Sequence, residues 1–386
     1  MSRPNDPKIA TLPPPRWMRS VDTAVYTDDA WLETERERVF GRTWWIAARE
    51  QQLPRPGDYV VRDELGSSIL LVRDNDGRVN AFDNSCRHRG SRLLDGEGRV
   101  EDIRCPYHGW AYGLDGRCNH IPAAEGLRGH LPPDRSLHTV RCETWGGFVW
   151  VCMHPDTAPL DVCLGAVTDD LAPYRLEEFE PVQHAVWDLP CNWKALVENV
   201  TDFYHVPFVH RNTIAAHVPE PPDIRSFGDH TRQRLEIAQY GWRRRLDRRC
   251  SRGGPYSSQQ TSALHKYLLF PNTVINALPY HITVMQVFPV TPRKTRFFYT
   301  FLKRRGARGL ERARAYGTWL ASRYILREDL MMLKQYQRGL DMGRQTQQVL
   351  HAMENASAHF HGTLQRYASE DPAPWAAGPA EIPRRA

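Results

Sequence analysis

The chain has 386 residues, a net charge of +6 and eight cysteines, which allows two domains and is too mildly basic to indicate a nucleic-acid protein. Apolar residues make up 41% and charged residues 25%, an ordinary globular composition; no apolar run reaches the roughly 18 residues of a membrane span, so neither a nucleic-acid nor a membrane partner is expected. The cysteines, at 86, 105, 118, 142, 152, 163, 191 and 250, are too scattered for a disulfide scaffold, and reduced thiols in a cytoplasm fit better.

The opening "MSRPNDPKIATLPPP" has no apolar core and no cleavage signal and reads as a Pro-rich arm. In "YTDDAWLETERERVFGRTWW", Thr27 or Asp28 caps a helix carrying Trp31, Val39 and Phe40, with Gly41 as its stop. From about Trp44 to Met153, short β-type runs ("DYVVRDE", "SSILLVRD", "RVNAFDN", "GGFVWVC") alternate with turn signals such as "DNDGR" and "LDGR", the pattern of a small antiparallel β-domain. The stretch from His154 to Pro173 reads as a linker. "EPVQHAVWDLP" alternates like a strand, and Asn192 then caps a helix, "NWKALVENVTDFYH", with Trp193, Leu196, Val197, Val200 and Tyr204 as its apolar stripe. "KYLLFPNTVINAL", "ITVMQVFPV" and "TRFFYTFLK" read as sheet strands, Leu310 to Met342 as one long helix, and "QQVLHAMENASAHFHGTLQRY" as another. The basic run "RRRLDRRCSR", Arg243 to Arg252, reads as a solvated loop, with docking of an acidic protein as the alternative; no basic-aromatic interleaving supports nucleic acid. The division expected is an arm and helix over 1–43, a β-domain over 44–155 and a larger catalytic domain over 156–386.

Two Cys–His couples lie in the β-domain beside turns: Cys86 and His88 in "CRHRG", and Cys105 and His108 in "CPYHGW". Structural zinc sites pair like ligands, C-x2–4-C with H-x3–5-H. Here each couple is mixed, with sixteen residues between them. Mixed couples suit a Rieske [2Fe–2S] cluster, in which two cysteines hold one iron and two histidines the other. A second cluster of donors follows in "DFYHVPFVH", with Asp202, His205 and His210. On a continuous helix Glu198, Asp202 and His205 fall at i, i+4 and i+7, one polar stripe. Pro207 is expected to break that helix and free His210 to fold back toward His205. Two histidines and one carboxylate make the facial triad of a non-haem Fe(II) site. "REDLMMLKQYQ" offers Glu328 and Asp329 for the carboxylate, a solvated acidic pair being the alternative.

At this point "NWKALVENVTDFYHVPFVH", with the E-D-x7-Q spacing that ends at Gln337, resembles the α subunits of Rieske non-haem iron (ring-hydroxylating) oxygenases over about residues 25–365. No extra cysteine accompanies the Rieske loops as in the respiratory branch. The resemblance implies an α+β protein: a small antiparallel β Rieske domain and a catalytic domain of helix-grip (START-like) type with an antiparallel sheet and long helices. Carried over, Cys86, His88, Cys105 and His108 hold the cluster; His205, His210 and Asp329 hold a mononuclear Fe(II); Asp202 takes the bridging position between centres. It further implies O2 as cosubstrate and electrons from NAD(P)H through a separate reductase, often with a ferredoxin, since the chain shows no nucleotide or flavin fingerprint. A homotrimer, with or without a β subunit, is implied as well. The activity implied is hydroxylation of an aromatic or other apolar small molecule. Oxidative N- or O-demethylation by the same machinery is one rival, and a pure Rieske electron carrier is another. Phe203, Phe208, Val209 and the strand "NTVINAL" are the pocket candidates.

Overall fold

In the computed structural model, residues 20–127, 134–218, 220–236, 249 and 261–369 are described. The Pro-rich arm and nearly all of the basic run 243–252 lie outside them. The chain forms two compact units, Phe40–Cys163 and a second built from Met1–Val39 with Leu164–Ala386. No helix among the described residues is long and apolar enough to cross a membrane.

Every strand pairing among the described residues of the smaller unit is antiparallel. Seven strands pair in the order Trp45–Arg49, Phe148–Cys152, Thr139–Trp145, Val79–Asp83, Ser67–Arg73, Asp58–Glu64, Glu97–Arg99. Three short strands, Ile103–Arg104, Ala111–Tyr112 and Cys118–His120, make a second sheet. All four runs singled out by alternation are strands; two- and three-residue strands are too short to show a period of two. The core joins Leu70, Val72, Phe82 and Leu114 to Cys86, Cys105, Trp110 and Tyr112, so both thiols belong to the packed interior.

The stretch His154–Pro173 is folded rather than a plain linker. Helices Leu160–Leu164 and Val167–Leu171 occupy it, and Leu160, Leu164, Val167 and Leu171 are buried. Their spacing is helical, a signal that the prolines and aspartates around them obscure.

The larger unit carries a seven-stranded antiparallel sheet in the order Phe179–Leu189, Lys294–Arg304, His281–Thr291, Thr273–Leu278, Ala263–Leu269, His230–Glu236, Asp223–Phe227. With it go the helices Trp193–Thr201, Gly309–Asp341 and Asn355–Ala368. The α+β organisation implied by the resemblance is the one observed. Asp28, not Thr27, caps the first helix, accepting from Ala30 N; that helix is regular only over Asp29–Thr34 and loosens into a π turn, Glu35–Val39. The expected helix over "QQVLHAM" is instead a strand, Gln347–Val349, paired to Ser20–Asp22, and a single 3-10 turn, Ala352–Glu354. Thr23 Oγ1, donating to Gln345 O at 2.7 Å, and the ladder to 20–22 give this backbone partners that a helix would forfeit.

Candidate metal centres

The two Cys–His couples sit on loops built to one plan. In the first, Cys86 N donates to Ser91 O at 2.8 Å and Gly90 N to Cys86 O at 2.9 Å. In the second, Cys105 N donates to Trp110 O at 2.8 Å and Gly109 N to Cys105 O at 3.1 Å. Each loop turns at a left-handed glycine, Gly90 at φ 75° and Gly109 at φ 72°, a conformation that costs a residue with a Cβ. The shared plan brings like donors together from opposite loops. The Cys86 and Cys105 thiols act on each other electrostatically, and the His88 and His108 rings lie 4.7 Å apart. His88 stacks on Trp110 at 5.0 Å, leaving its buried Nδ1 without a partner. Tyr112 Oη lies 3.2 Å from Cys86 Sγ and accepts from Arg87 N. Burial raises the Cys86 thiol. At Cys105 burial is outweighed by the Tyr107 and His108 backbone donors, and the thiol is lowered, which favours the thiolate that metals need. No three of these four donors close to within 4.8 Å, whereas His205, His210 and Asp329 do so among the described residues. Two irons, each taking one like pair, fit this pairing of thiol with thiol and imidazole with imidazole.

The second centre begins with the end of a helix. Asn192 caps its start, accepting from Lys194 N, and Gln337 Oε1 takes the Asn192 N–H at 2.8 Å. The helix stops at Thr201, four residues earlier than its polar stripe suggests, and Asp202 is extended. Glu198, Asp202 and His205 therefore do not form one helical stripe, and Pro207 lies inside a new short turn, Val206–Val209, rather than at the break. The reason is local: the Asp202 carboxylate accepts from Tyr204 N and, at 3.2 Å, from His205 N, bonds that compete with helix continuation. The sheet fixes the same stop. Gln233 Nε2 donates to Thr201 O and Lys266 Nζ to Val200 O, so a cation and an amide satisfy carbonyls that a helix end leaves open.

After this break His205 and His210 face each other, ring centroids 5.1 Å apart, and helix Gly309–Asp341 brings Asp329 to them. Asp329 Oδ1 lies 2.9 Å from His210 Nε2 and 3.5 Å from His205 Nε2. Each imidazole is held from behind: His205 Nδ1 by Asp202 Oδ2 and His210 Nδ1 by Glu328 Oε2, both at 2.8 Å. Thr213 Oγ1 donates to the same Glu328 oxygen at 2.8 Å. Such carboxylates fix ring orientation and tautomer and leave Nε2 for a metal. Burial opposes charge on His205, but Asp202 and Asp329 overcome it and raise the imidazole to about 9. Asp329 would be raised by burial, yet the two histidines lower it to about 2. Two neutral imidazoles and a carboxylate are the donor set of a non-haem Fe(II) site, and these residues fit that ion.

All three side chains line a cavity of about 290 Å³. One face of the sheet supplies much of its wall. The register Gln233–Lys266–Asn276–Thr283–Phe301 runs straight across five strands, and alternation keeps this row on a single face. Of the residues expected near substrate, Phe203 and, from the strand Thr273–Leu278, Asn276 and Leu278 line the cavity, whereas Val274, Ile275, Ala277 and Val209 do not and Phe208 is exposed. Glu328 reads in the sequence only as a rival ligand, and Lys266 and Gln233 show no sequence signal at all. Glu35 is equally silent: from the π turn it accepts from Trp193 Nε1 at 2.7 Å and pairs with buried Lys194 at 2.6 Å.

Comparison with known proteins is consistent along the chain. Residues 43–132 match the Rieske [2Fe–2S] domain model, and residues 176–370 match the ring hydroxylating α subunit (catalytic domain) model. The carnitine monooxygenase oxygenase subunit of Escherichia coli is 30% identical over 282 residues, 72% of each chain. Choline monooxygenase of Spinacia oleracea is 25% identical over 94% of this chain and 80% of its own. Among solved structures, a quaternary ammonium Rieske monooxygenase in complex with L-carnitine superposes with a TM-score of 0.77 at 23% identity, covering 94% of this chain and all of that one.

Proposed function

The chain belongs to the Rieske non-haem iron oxygenase α subunits, and from that premise we propose how its residues serve a terminal oxygenase. The enzyme is an oxidoreductase, holding a [2Fe–2S] cluster and a mononuclear iron, that works with a reductase and oligomerises. Cys86 and Cys105 hold one iron of the cluster, and His88 and His108 the other. His205, His210 and Asp329 hold the mononuclear iron, which when bound supplies O2 activation with electrons drawn from NAD(P)H. The observation that carries this reading is the convergence of those three donor atoms, within 4.8 Å, on the wall of a largely apolar cavity.

The protein's own work is positional. Asp202 and Glu328 accept from the two imidazole Nδ1–H groups and hold each ring in the tautomer that presents Nε2. The cavity excludes bulk water and seats a C–H bond of a small molecule beside the iron. Hydroxylation there takes up one oxygen atom of O2 and leaves the other as water, with two electrons and two protons supplied. The relatives named carnitine and choline monooxygenase favour a second outcome, oxidative N-demethylation, in which the hydroxylated methyl departs as formaldehyde. Electrons cross between subunits of a cytoplasmic homotrimer, with or without a β subunit, where His108 of the partner subunit meets Asp202. A head-to-tail contact of this kind closes into a ring.

The test is reconstitution. Anaerobically purified protein should be brown, show the Rieske EPR signal and contain iron beyond the two of the cluster. With a surrogate reductase it should turn over a member of a panel of aromatic acids, anilines and methylated amines. Colourless protein with stoichiometric zinc would overturn the reading. Mixed trimers of Cys86→Ser and His205→Ala chains, each inactive alone, should regain activity; verified mixed trimers that stay inactive would place the electron path within one chain.

A further inference from the structure

Two adjacent strands, Thr273–Leu278 and His281–Thr291, each bring a polar side chain to the cavity wall. Asn276 Oδ1 and His281 Nδ1 are buried and have no hydrogen-bond partner among the described residues, and both residues line the cavity. Asn276 stands opposite Thr283 in the sheet register, which makes His281 its diagonal neighbour on the same face, about 7–8 Å away. His281 is 4% exposed and stacks on Phe301, ring centroids 4.8 Å apart and planes 11° from parallel. Burial, with the Arg314 charge adding to it, lowers its imidazole to about 3, so the ring is neutral and offers one donor and one acceptor. A buried polar atom without a partner is costly, and no contact among the described residues offsets that cost here. Such a cost persists where a ligand completes the bond.

Charge in the cavity narrows the ligand. Asp202 and Asp329 are committed to His205 and His210. The Lys266 ammonium is held by Val200 O and acts on those same two aspartates. Among the described lining residues there is no further carboxylate to neutralise a cation and no guanidinium to receive a carboxylate.

We infer that Asn276 and His281 together seat an uncharged hydrogen-bonding group of the substrate, a hydroxyl, carbonyl or amide on an otherwise apolar body. A hydroxyl satisfies both residues at once, donating to Asn276 Oδ1 and accepting from the imidazole N–H. This rests on the oxygenase reading of the cavity and narrows its substrate class to neutral molecules, although relatives are named for charged ones.

The experiment uses the iron-loaded enzyme and four probes sharing one benzyl body: toluene, benzyl alcohol, phenylacetate and benzyltrimethylammonium. Calorimetric titration should rank benzyl alcohol tightest, about tenfold or more over each of the others. Asn276→Leu and His281→Phe should abolish that preference while keeping the Rieske EPR signal and the mononuclear iron. Because each variant replaces an unpartnered polar group by an apolar one, its melting temperature should hold or rise. Asn276→Asp should turn the preference toward benzyltrimethylammonium, which keeps the idea testable if a leucine is not tolerated. A fall in melting temperature with loss of iron in both apolar variants would make the pair structural and overturn the inference. So would any other probe ranking in the wild type, including no binding by all four. Wild-type protein lacking cluster or mononuclear iron would instead count against the oxygenase reading, which the metal analysis tests separately.

Discussion

The two proposed metal centres are built in opposite ways. The cluster site is made by two loops that close on their own backbones within residues 86–91 and 105–110, and its donors sit in the core of the same small unit. The mononuclear site is made at a distance. Its histidines follow a helix stop enforced by Gln233 and Lys266 from the sheet, and its carboxylates arrive on a helix more than a hundred residues later in the chain. A locally closed site depends on a few special backbone conformations. A site assembled from distant elements depends on buried clamps, each of which is a separate point of failure.

The largest expected effects test whether the centres are independent. Cys86→Ser or Cys105→Ser should remove the brown colour and the Rieske EPR signal. His205→Ala or His210→Ala should remove one iron per chain and all turnover, with the Rieske signal intact. If either kind of substitution empties both centres, the contrast fails.

Next in size is the buried ion pair of the larger unit. Lys194 and Glu35 are buried and paired at 2.6 Å, so Glu35→Ala leaves an ammonium uncompensated and should cost about 3–5 kcal/mol in chemical denaturation. The comparable pair of the smaller unit, Arg92 with Asp63, is exposed, and Asp63→Ala should cost less than about 1 kcal/mol. Equal losses would mean that burial is not what separates the two regions.

Glu328→Ala should lower iron affinity by about 10–100-fold, measured by chelator competition, because it frees the His210 ring without removing a donor. Asp329→Ala should abolish binding. The reverse order would exchange the roles of the two carboxylates. The smallest effect belongs to the loops. Gly109→Ala should cost about 1 kcal/mol, and more than Gly90→Ala. The added Cβ at 109 would meet Pro122 Cγ at 3.3 Å, against 3.7 Å to Ser85 Oγ at 90. The readout is the melting of the cluster's visible band.

The same contrast explains what could be read in advance. The couples Cys86/His88 and Cys105/His108 were legible because a loop that closes on itself writes its ligand spacing into contiguous sequence. The strand "DYVVRDE" and the cap at Asn192 were legible for the same reason, each being a local pattern. The register through Glu198, Asp202 and His205 misled because helical spacing says nothing of a competing turn, and the Asp202 carboxylate ends the helix by taking two backbone N–H groups.

The sequence by itself determined the donor types, the antiparallel strands of both units and the pairing of a Cys–His quartet with a downstream histidine couple, since all of these follow from short-range spacing. Tertiary structure alone decided which acidic side chain approaches His205 and His210 and which stands behind, because Glu328 and Asp329 are adjacent on one helix and only its placement separates them. It also decided that Lys266 and Gln233 cap a helix end by bonds to carbonyls sixty-six and thirty-two residues away, and that Asn276 and His281 share a wall. Those relations depend on strand register and burial, which distant parts of the chain set together.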